Sequence, residues 1–147
     1  MKNRLLDLAK EKVQIRLDEA TKAMEAAQSA ANEDTKSSAG DKFETSRAMA
    51  HNDYNLYKRQ WHEAMNDWQL LEIINPENSN VLVSNGSLVK TDIGVFFFCI
   101  SVGVVQIDNQ KVMIASLTSP IGEALKGKKT GEKFEFREKQ IGISEVS

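Results

Sequence analysis

Apolar residues recur at alternating steps of three and four through the first half of the chain. One series is Leu6, Val13, Leu17, Ala20, Met24, Ala27 and Ala31, and a second is Phe43, Ala50, Tyr54, Tyr57, Trp61, Ala64, Trp68 and Leu71. Lys10 and Arg47 occupy the two polar positions of these series. A mean step of about 3.5 residues is typical of a coiled-coil seam. The pattern therefore predicts two long helices that bury these stripes against each other.

The two apolar series are separated by a polar segment, residues 32–41, which contains Gly40. Gly40 is the only glycine in residues 1–75, and this part of the chain has no proline. Glycine and proline spoil helix interiors, so their scarcity favours uninterrupted helices on both sides of the polar segment. We predict an antiparallel helical hairpin that turns at about residues 35–40. Each arm of about 30 residues would be roughly 45 Å long.

The second half of the chain has a different pattern of breakers. Seven of the eight glycines and both prolines follow position 75. Pro76 and the polar residues after it predict the end of the second helix and a linker over 76–80. Short apolar segments then predict strands at about 81–83, 87–91, 94–102, 104–107, 111–116, 132–137 and 140–146.

One short helix is predicted among these strands. Ser119 is a candidate N-cap, Pro120 suits the first helical position, and Gly127 suits the residue after the helix. The predicted fold class is α+β: a coiled-coil hairpin over 1–75, the linker over 76–80, and a small antiparallel β-domain with one helix over 81–147. We expect local, meandering connections in this β-domain and little room for a deep pocket.

Composition excludes several classes of protein. The chain is 41% apolar and 27% charged with a net charge of −2, so it is expected to be ordered and has no general reason to coat nucleic acid. The longest apolar run, residues 95–100, is far shorter than the roughly 20 residues of a membrane span. An acidic residue, Asp7, occurs near the N-terminus before any apolar segment has built up, which argues against a secretory signal. The lone Cys99 is expected to be a buried thiol of a cytosolic protein.

Recognisable enzyme motifs are missing from the sequence. It contains no phosphate-binding loop, dinucleotide fingerprint or hydrolase elbow. His51 and His62 are eleven residues apart, about 16 Å along a helix, which is too far to share a metal ion. Cys99 has no neighbouring histidine or aspartate to activate it. None of these residues therefore points to a recognised class of catalytic site.

The predicted turn concentrates charge in a segment we call the acidic tip, residues 33–44. Its carboxylates are Glu33, Asp34, Asp41 and Glu44, and its basic neighbours are Lys36, Lys42 and Arg47. Mg²⁺ often takes only one or two protein carboxylates, so these side chains could complete a coordination shell supplied mostly by another molecule. The alternative is structural: Asp41 would be an N-cap with Glu44 completing a capping box, and the tip would simply be solvated.

Two segments resemble those of a known family. Residues 119–132, SPIGEALKGKKTGE, are similar to the pattern S-P-[IM]-A/G-x-A/G-L-x-G-K-x-x-G-D/E of the bacterial transcript-cleavage factors of the Gre family. The acidic tip and its flank, 34–47, are more loosely similar to that family's D-L-K-E-N-A-E-Y-x-x-A-R stretch, with Phe43 on the aromatic and Arg47 on the arginine. The resemblance covers nearly the whole chain.

The resemblance implies a fold and a function. The β-domain would be FK506-binding-protein-like and would dock on RNA polymerase at its secondary channel through Ser119 and Pro120. The hairpin would enter that channel and bring the tip carboxylates to the active site. There they would help to hold the second Mg²⁺ and a water, and the polymerase would cleave the 3′ end of backtracked RNA.

The same resemblance implies the partners. The protein would have no cofactor of its own and would share Mg²⁺ with RNA polymerase. It would meet the RNA 3′ end and the DNA template only through the polymerase complex. We expect a cytoplasmic protein without a membrane partner. We also expect a monomer, because the two helices can bury each other's apolar stripes.

Three other interpretations stay open. With Phe43 and Arg47 aligned, the first family acid meets Asp34 only if the turn is about two residues longer, and serine or alanine stands opposite the second. The protein could therefore be an inhibitor or modulator that occupies the channel without stimulating cleavage.

A peptidyl-prolyl isomerase would need an aromatic-lined pocket, whereas the phenylalanines alternate as core residues do. A coiled-coil adaptor is the third alternative.

Overall fold

The computed structural model describes residues 1–34 and 40–147, with the backbone alone described for residues 33, 34 and 40–44. It contains two long helices, α1 (Lys2–Asp34) and α2 (Gly40–Glu72), each of 33 residues. At 1.5 Å per residue each is about 50 Å long. A six-stranded sheet with one short helix follows. The predicted α+β class is confirmed at this level, while the predicted turn at about 35–40 lies almost wholly outside the described residues.

The chain divides into two compact units. One contains Met1–Lys12 and Gln69–Ser147, and the other contains Val13–Trp68. Both helices therefore contribute residues to both units. The boundaries expected from composition, 1–75 and 81–147, stay a prediction.

Within the unit Val13–Trp68 the two helices run antiparallel. Arg16 on α1 donates a hydrogen bond from Nη1 to Oδ2 of Asp67 on α2 at 2.7 Å. Farther along α1, a cleft is lined by Ala27 together with Ala50 and Tyr54 of α2. Residues later in α1 therefore lie beside residues earlier in α2, as antiparallel helices require.

The predicted seam is buried within this unit. Its described apolar positions are all buried or half-buried: Val13, Leu17, Ala20, Met24, Ala27, Ala31, Ala50, Tyr54, Tyr57, Trp61, Ala64 and Trp68. Arg47, the polar position of the second series, is exposed. Removal of the apolar stripe from water is what holds two otherwise charged helices together.

The sheet unit contains six strands and one short helix. The elements are β1 (Leu88–Thr91), β2 (Gly94–Cys99), β3 (Gly103–Ile107), β4 (Gln110–Ser116), α3 (Pro120–Leu125), β5 (Lys133–Phe136) and β6 (Lys139–Val146). The strand order is β3-β4-β2-β1-β6-β5. The predicted strand at 81–83 is wrong, since this segment forms only an isolated bridge between Leu82 and Lys129.

Two sheet pairings differ from the expected antiparallel meander. β2 pairs with β4 in parallel, and β1 pairs with β6, bringing Val89 opposite Val146. The reason is burial: residues 96–100 are buried without a break, so β2 needs cover on both faces and occupies the sheet interior. The expectation of purely local connections is therefore wrong.

The core of this unit lies on both faces of β2. Phe96 and Phe98 point to one face and stack with ring centroids 6.1 Å apart. That face packs with Ile121 and Leu125 of α3 in one buried cluster. Phe97 alternates to the other face and is fully buried.

The first turn of α1 is tied to the sheet unit by polar contacts. Arg4 Nη1 lies 2.6 Å from Oδ1 of Asp108, in the turn between β3 and β4. Lys2 Nζ donates to the carbonyl of Asn78 at 2.9 Å, and burial lowers the pKa of this lysine. Neither contact is visible in the sequence pattern, because the partners are more than seventy residues apart.

The sequence predicts hairpin connections at residues 108–110 and 137–139, and both are confirmed. Asp108 and Asn109 join β3 to β4 with φ of 50° and 63°, and Arg137 and Glu138 join β5 to β6 with φ of 52° and 66°. Positive φ at both central residues is the mark of a type I′ turn, which matches the twist of the flanking strands. Asp and Asn suit this backbone, whereas Arg and Glu do not.

Gly122 allows α3 to approach the preceding loop. A Cβ at this position would lie 2.3 Å from the carbonyl oxygen of Ser116 and 2.6 Å from the backbone of Leu117. We expect Gly122→Ala to lower the free energy of unfolding by about 1–3 kcal/mol, because a rigid backbone cannot move aside cheaply. Urea denaturation followed by circular dichroism measures this.

The matched control is Glu123→Ala, an alanine substitution at the next, exposed residue of α3. It should cost about 1 kcal/mol or less, since it removes only a helix-terminal charge. Equal losses for the two variants would contradict the proposed role of the close approach.

Candidate docking site and acidic tip

The acidic tip falls where α1 ends and α2 begins. Glu33 and Asp34 are the last two residues of α1, and Asp41 and Glu44 belong to the first two turns of α2. The side chains of these four acids lie outside the described residues, as does that of Lys42. Lys36 lies outside them altogether. The directions in which the tip carboxylates point therefore stay a prediction.

Arg47 is the one predicted tip side chain that is described. It is exposed and lines a shallow cleft of about 300 Å³ with His51 and Tyr54 of α2. His62 is exposed and packs edge-on against Trp61, with ring centroids 5.1 Å apart. Within the described residues, no group of three or more His, Cys, Asp or Glu side chains could hold a metal ion.

Ser119 caps α3 as predicted. Its backbone is extended, with φ of −70° and ψ of 161°, and its Oγ accepts a hydrogen bond from the amide of Gly122 at 3.2 Å. The same hydroxyl donates to the carbonyl of Ser116 at 2.6 Å. Pro120 occupies the first helical position, where its missing N–H costs nothing. The cap thus fixes the start of α3 against the end of β4.

Ser119 and Pro120 line a concave surface of about 450 Å³, which we call the apolar groove. Its lining is almost entirely apolar and consists of Ile93, Phe96, Ser101, Gly103, Met113, Ile114, Ala115, Ser119, Pro120, Ile121, Phe136 and Arg137. The sequence predicts little room for a deep pocket, and this open groove does not test that expectation. Small residues at 101, 103, 115 and 119 leave space between α3 and the sheet.

The sequence predicts two residues of this groove, Ser119 and Pro120, as binding residues and does not identify most of the others. The alternation of the phenylalanines predicts Phe136 as a core residue, but it is only half-buried and lines the groove. Met113 is 37% exposed between two buried neighbours, Val112 and Ile114. Alternation within β4 could have shown that Met113 points away from them, but not that a groove lies there.

Arg137 is the only charged residue in the groove lining as described. Its guanidinium carbon lies 5.2 Å from the centroid of the Phe136 ring. A cation over an aromatic face is attracted by the ring quadrupole, so the guanidinium is held beside the groove. The arrangement offers apolar contact area with one fixed positive charge at the edge, which is suited to binding rather than to bond-making chemistry.

Searches with this sequence found no matching family model and no matching curated protein. Among the described residues there is no helix whose length and apolar character would let it cross a membrane.

We expect Ser119→Ala to lower the free energy of unfolding by about 0.5–2 kcal/mol, because the amide of Gly122 loses its acceptor. Ser119→Thr retains a hydroxyl and should recover most of that loss. Thermal unfolding of the three proteins measures the difference. If threonine is as damaging as alanine, the hydroxyl does not stabilise α3 as a cap.

Proposed function

We propose that this protein is a Gre-like transcription elongation factor that binds RNA polymerase at the secondary channel and stimulates cleavage of backtracked RNA. The observation that carries the proposal is the position of the Ser119–Pro120 segment. The segment that most closely matches the family pattern begins with a capped helix whose first residues line an apolar groove. A segment so placed can contact another protein.

The helical part of the chain supports the same proposal. Within Val13–Trp68 the two antiparallel helices bury a shared apolar stripe in which Ala20, Ala27 and Ala50 are small. Asp34 is the last residue of α1, and Asp41 is the second residue of α2. A pair of long helices with carboxylates at these two ends could reach an active site that is accessible only through a channel.

The chemistry would belong to the polymerase. In two-metal hydrolysis of a phosphodiester, one ion activates the attacking water and the other stabilises the leaving oxygen. Carboxylates of the acidic tip would complete the shell of the more weakly held Mg²⁺ and orient the water. The protein supplies ligands and is not itself the nuclease. An FK506-binding-protein-like β-domain and a cytoplasmic location are parts of this proposal.

A channel-occupying inhibitor or modulator is the second candidate. The specific observation in its favour is that the sequence has no acid where the family has its second one. The residues opposite that position are Ser37, Ser38 and Ala39. Docking through the apolar groove would be unchanged, but the tip would obstruct the channel without completing the metal shell.

The deciding experiment uses a stalled, backtracked complex of the cognate RNA polymerase. Shortening of the labelled RNA on addition of the protein supports the cleavage factor, and slower synthesis without shortening supports the modulator. No effect on either would overturn both. A prolyl-peptide isomerisation assay and recovery of polymerase subunits in a pull-down test the isomerase and adaptor alternatives.

We expect the triple variant Asp34→Asn, Asp41→Asn, Glu44→Gln to slow RNA cleavage by about tenfold or more. A loss of only about 1.4 kcal/mol of transition-state stabilisation produces that factor. Binding to polymerase, measured by fluorescence anisotropy, should be unchanged.

The matched control removes three exposed carboxylates elsewhere on the helices: Glu11→Gln, Glu25→Gln and Asp53→Asn. It makes the same change in net charge and should leave cleavage intact. Similar losses in both triple variants would show a general charge effect and not a role of the acidic tip.

We expect Met113→Glu to weaken binding to RNA polymerase by about tenfold, because a carboxylate in the apolar groove must be desolvated on docking. Val104→Glu is the control. Val104 is the cross-strand partner of Met113 and is 60% exposed, but it does not line the groove. Equal weakening by both variants would argue against the groove as the docking surface.

A further inference from the structure

The turn between β5 and β6 has an unusual composition for its backbone. Arg137 and Glu138 both have positive φ, 52° and 66°, in a type I′ turn that ordinarily takes Asn, Asp or Gly. The turn between β3 and β4 has the same backbone and contains Asp108 and Asn109, which suit it. An arginine at such a position is held there at a cost in backbone strain, and such strain tends to occur at functional sites.

The guanidinium of Arg137 is placed where a ligand of the apolar groove would meet it. It lies 5.2 Å from the centroid of the Phe136 ring, and both residues line the groove. In the described part of the chain no carboxylate forms a salt bridge with Arg137. The positive charge at the groove edge is therefore available to a partner.

We propose that Arg137 makes the apolar groove selective for a protein segment that carries a carboxylate next to an aliphatic side chain. The aliphatic side chain would fill the groove between α3 and the sheet, and the carboxylate would pair with the guanidinium. This inference deepens the proposed function and rests on it only for the identity of the partner, which would be the rim of the polymerase channel.

The charge pattern favours this occupant over others. Nucleic acid would require several cations spaced along a phosphate backbone, and the described groove lining contains one. A purely apolar ligand would make no use of the exposed guanidinium. A single cation beside an apolar surface is complementary to a single anion beside an apolar side chain.

The test is a titration of the full chain, labelled with ¹⁵N, with two capped peptides that differ in one group. The probes are acetyl-Ala-Leu-Glu-Ala-amide and acetyl-Ala-Leu-Gln-Ala-amide. We expect both to shift the backbone amides of Met113, Ala115 and Ile121. The glutamate peptide should bind about threefold more tightly at low salt, the size expected for an exposed ion pair, and the difference should shrink as salt is added.

Two variants of Arg137 separate charge from backbone effects. Arg137→Asn removes the cation but suits positive φ, so it should bind both peptides equally without lowering the thermal midpoint. Arg137→Lys retains the charge and should retain most of the discrimination. Lys139→Asn removes a cation at an exposed position just after the turn, outside the groove lining, and should discriminate as the native protein does.

Several results would overturn the inference. These are no shifts at the groove up to the solubility limit of the peptides, equal affinity for the two peptides in the native protein, or discrimination that survives Arg137→Asn. Groove shifts that depend on protein concentration alone would assign the groove to a second copy. Because the titration contains no polymerase, a discriminating groove in a protein that fails to bind polymerase would refute only the proposed function.

Discussion

The close approach of α3 to the backbone of Ser116 and Leu117 is the contact on which the candidate site depends. It is possible only because residue 122 has no Cβ. With the helix held there, the Ser119 cap is fixed at the end of β4, and the buried face of α3 joins the core built on Phe96 and Phe98. The same placement leaves the groove open beside the helix start. One glycine thus permits the close packing of α3 against the end of β4.

The groove combines two physical features that do different work in recognition. Apolar surface such as that of Met113 and Phe136 provides binding free energy that depends little on orientation. In the proposed recognition, Arg137, whose guanidinium lies over an aromatic ring, adds a directional charge that distinguishes one apolar partner from another. Its backbone at positive φ is strained. A more stable turn could be built with asparagine or glycine, so stability and selectivity oppose each other at this position.

The sequence predicted the helices well because their signal is local and repeated. Steps of three and four place Val13, Leu17 and Ala20 on one face wherever the helix is, and the partner helix has the same periodicity. The N-cap at Ser119 and the turn at Asp108 and Asn109 were also predictable, since caps and turns depend on a few neighbouring residues. The assignment of 81–83 as a strand failed because a short apolar run does not show whether a neighbouring strand is available to pair with it.

What the sequence determined by itself is therefore the set of elements: two long helices, and short strands around one capped helix. The tertiary structure alone decided the strand order, with β2 beside β4 and β1 beside β6. It alone brought Met113, Phe136 and Arg137 to one groove. The physical reason is that elements form from contacts within a few residues, whereas a binding surface is made by side chains that meet only when distant strands bury their apolar faces together.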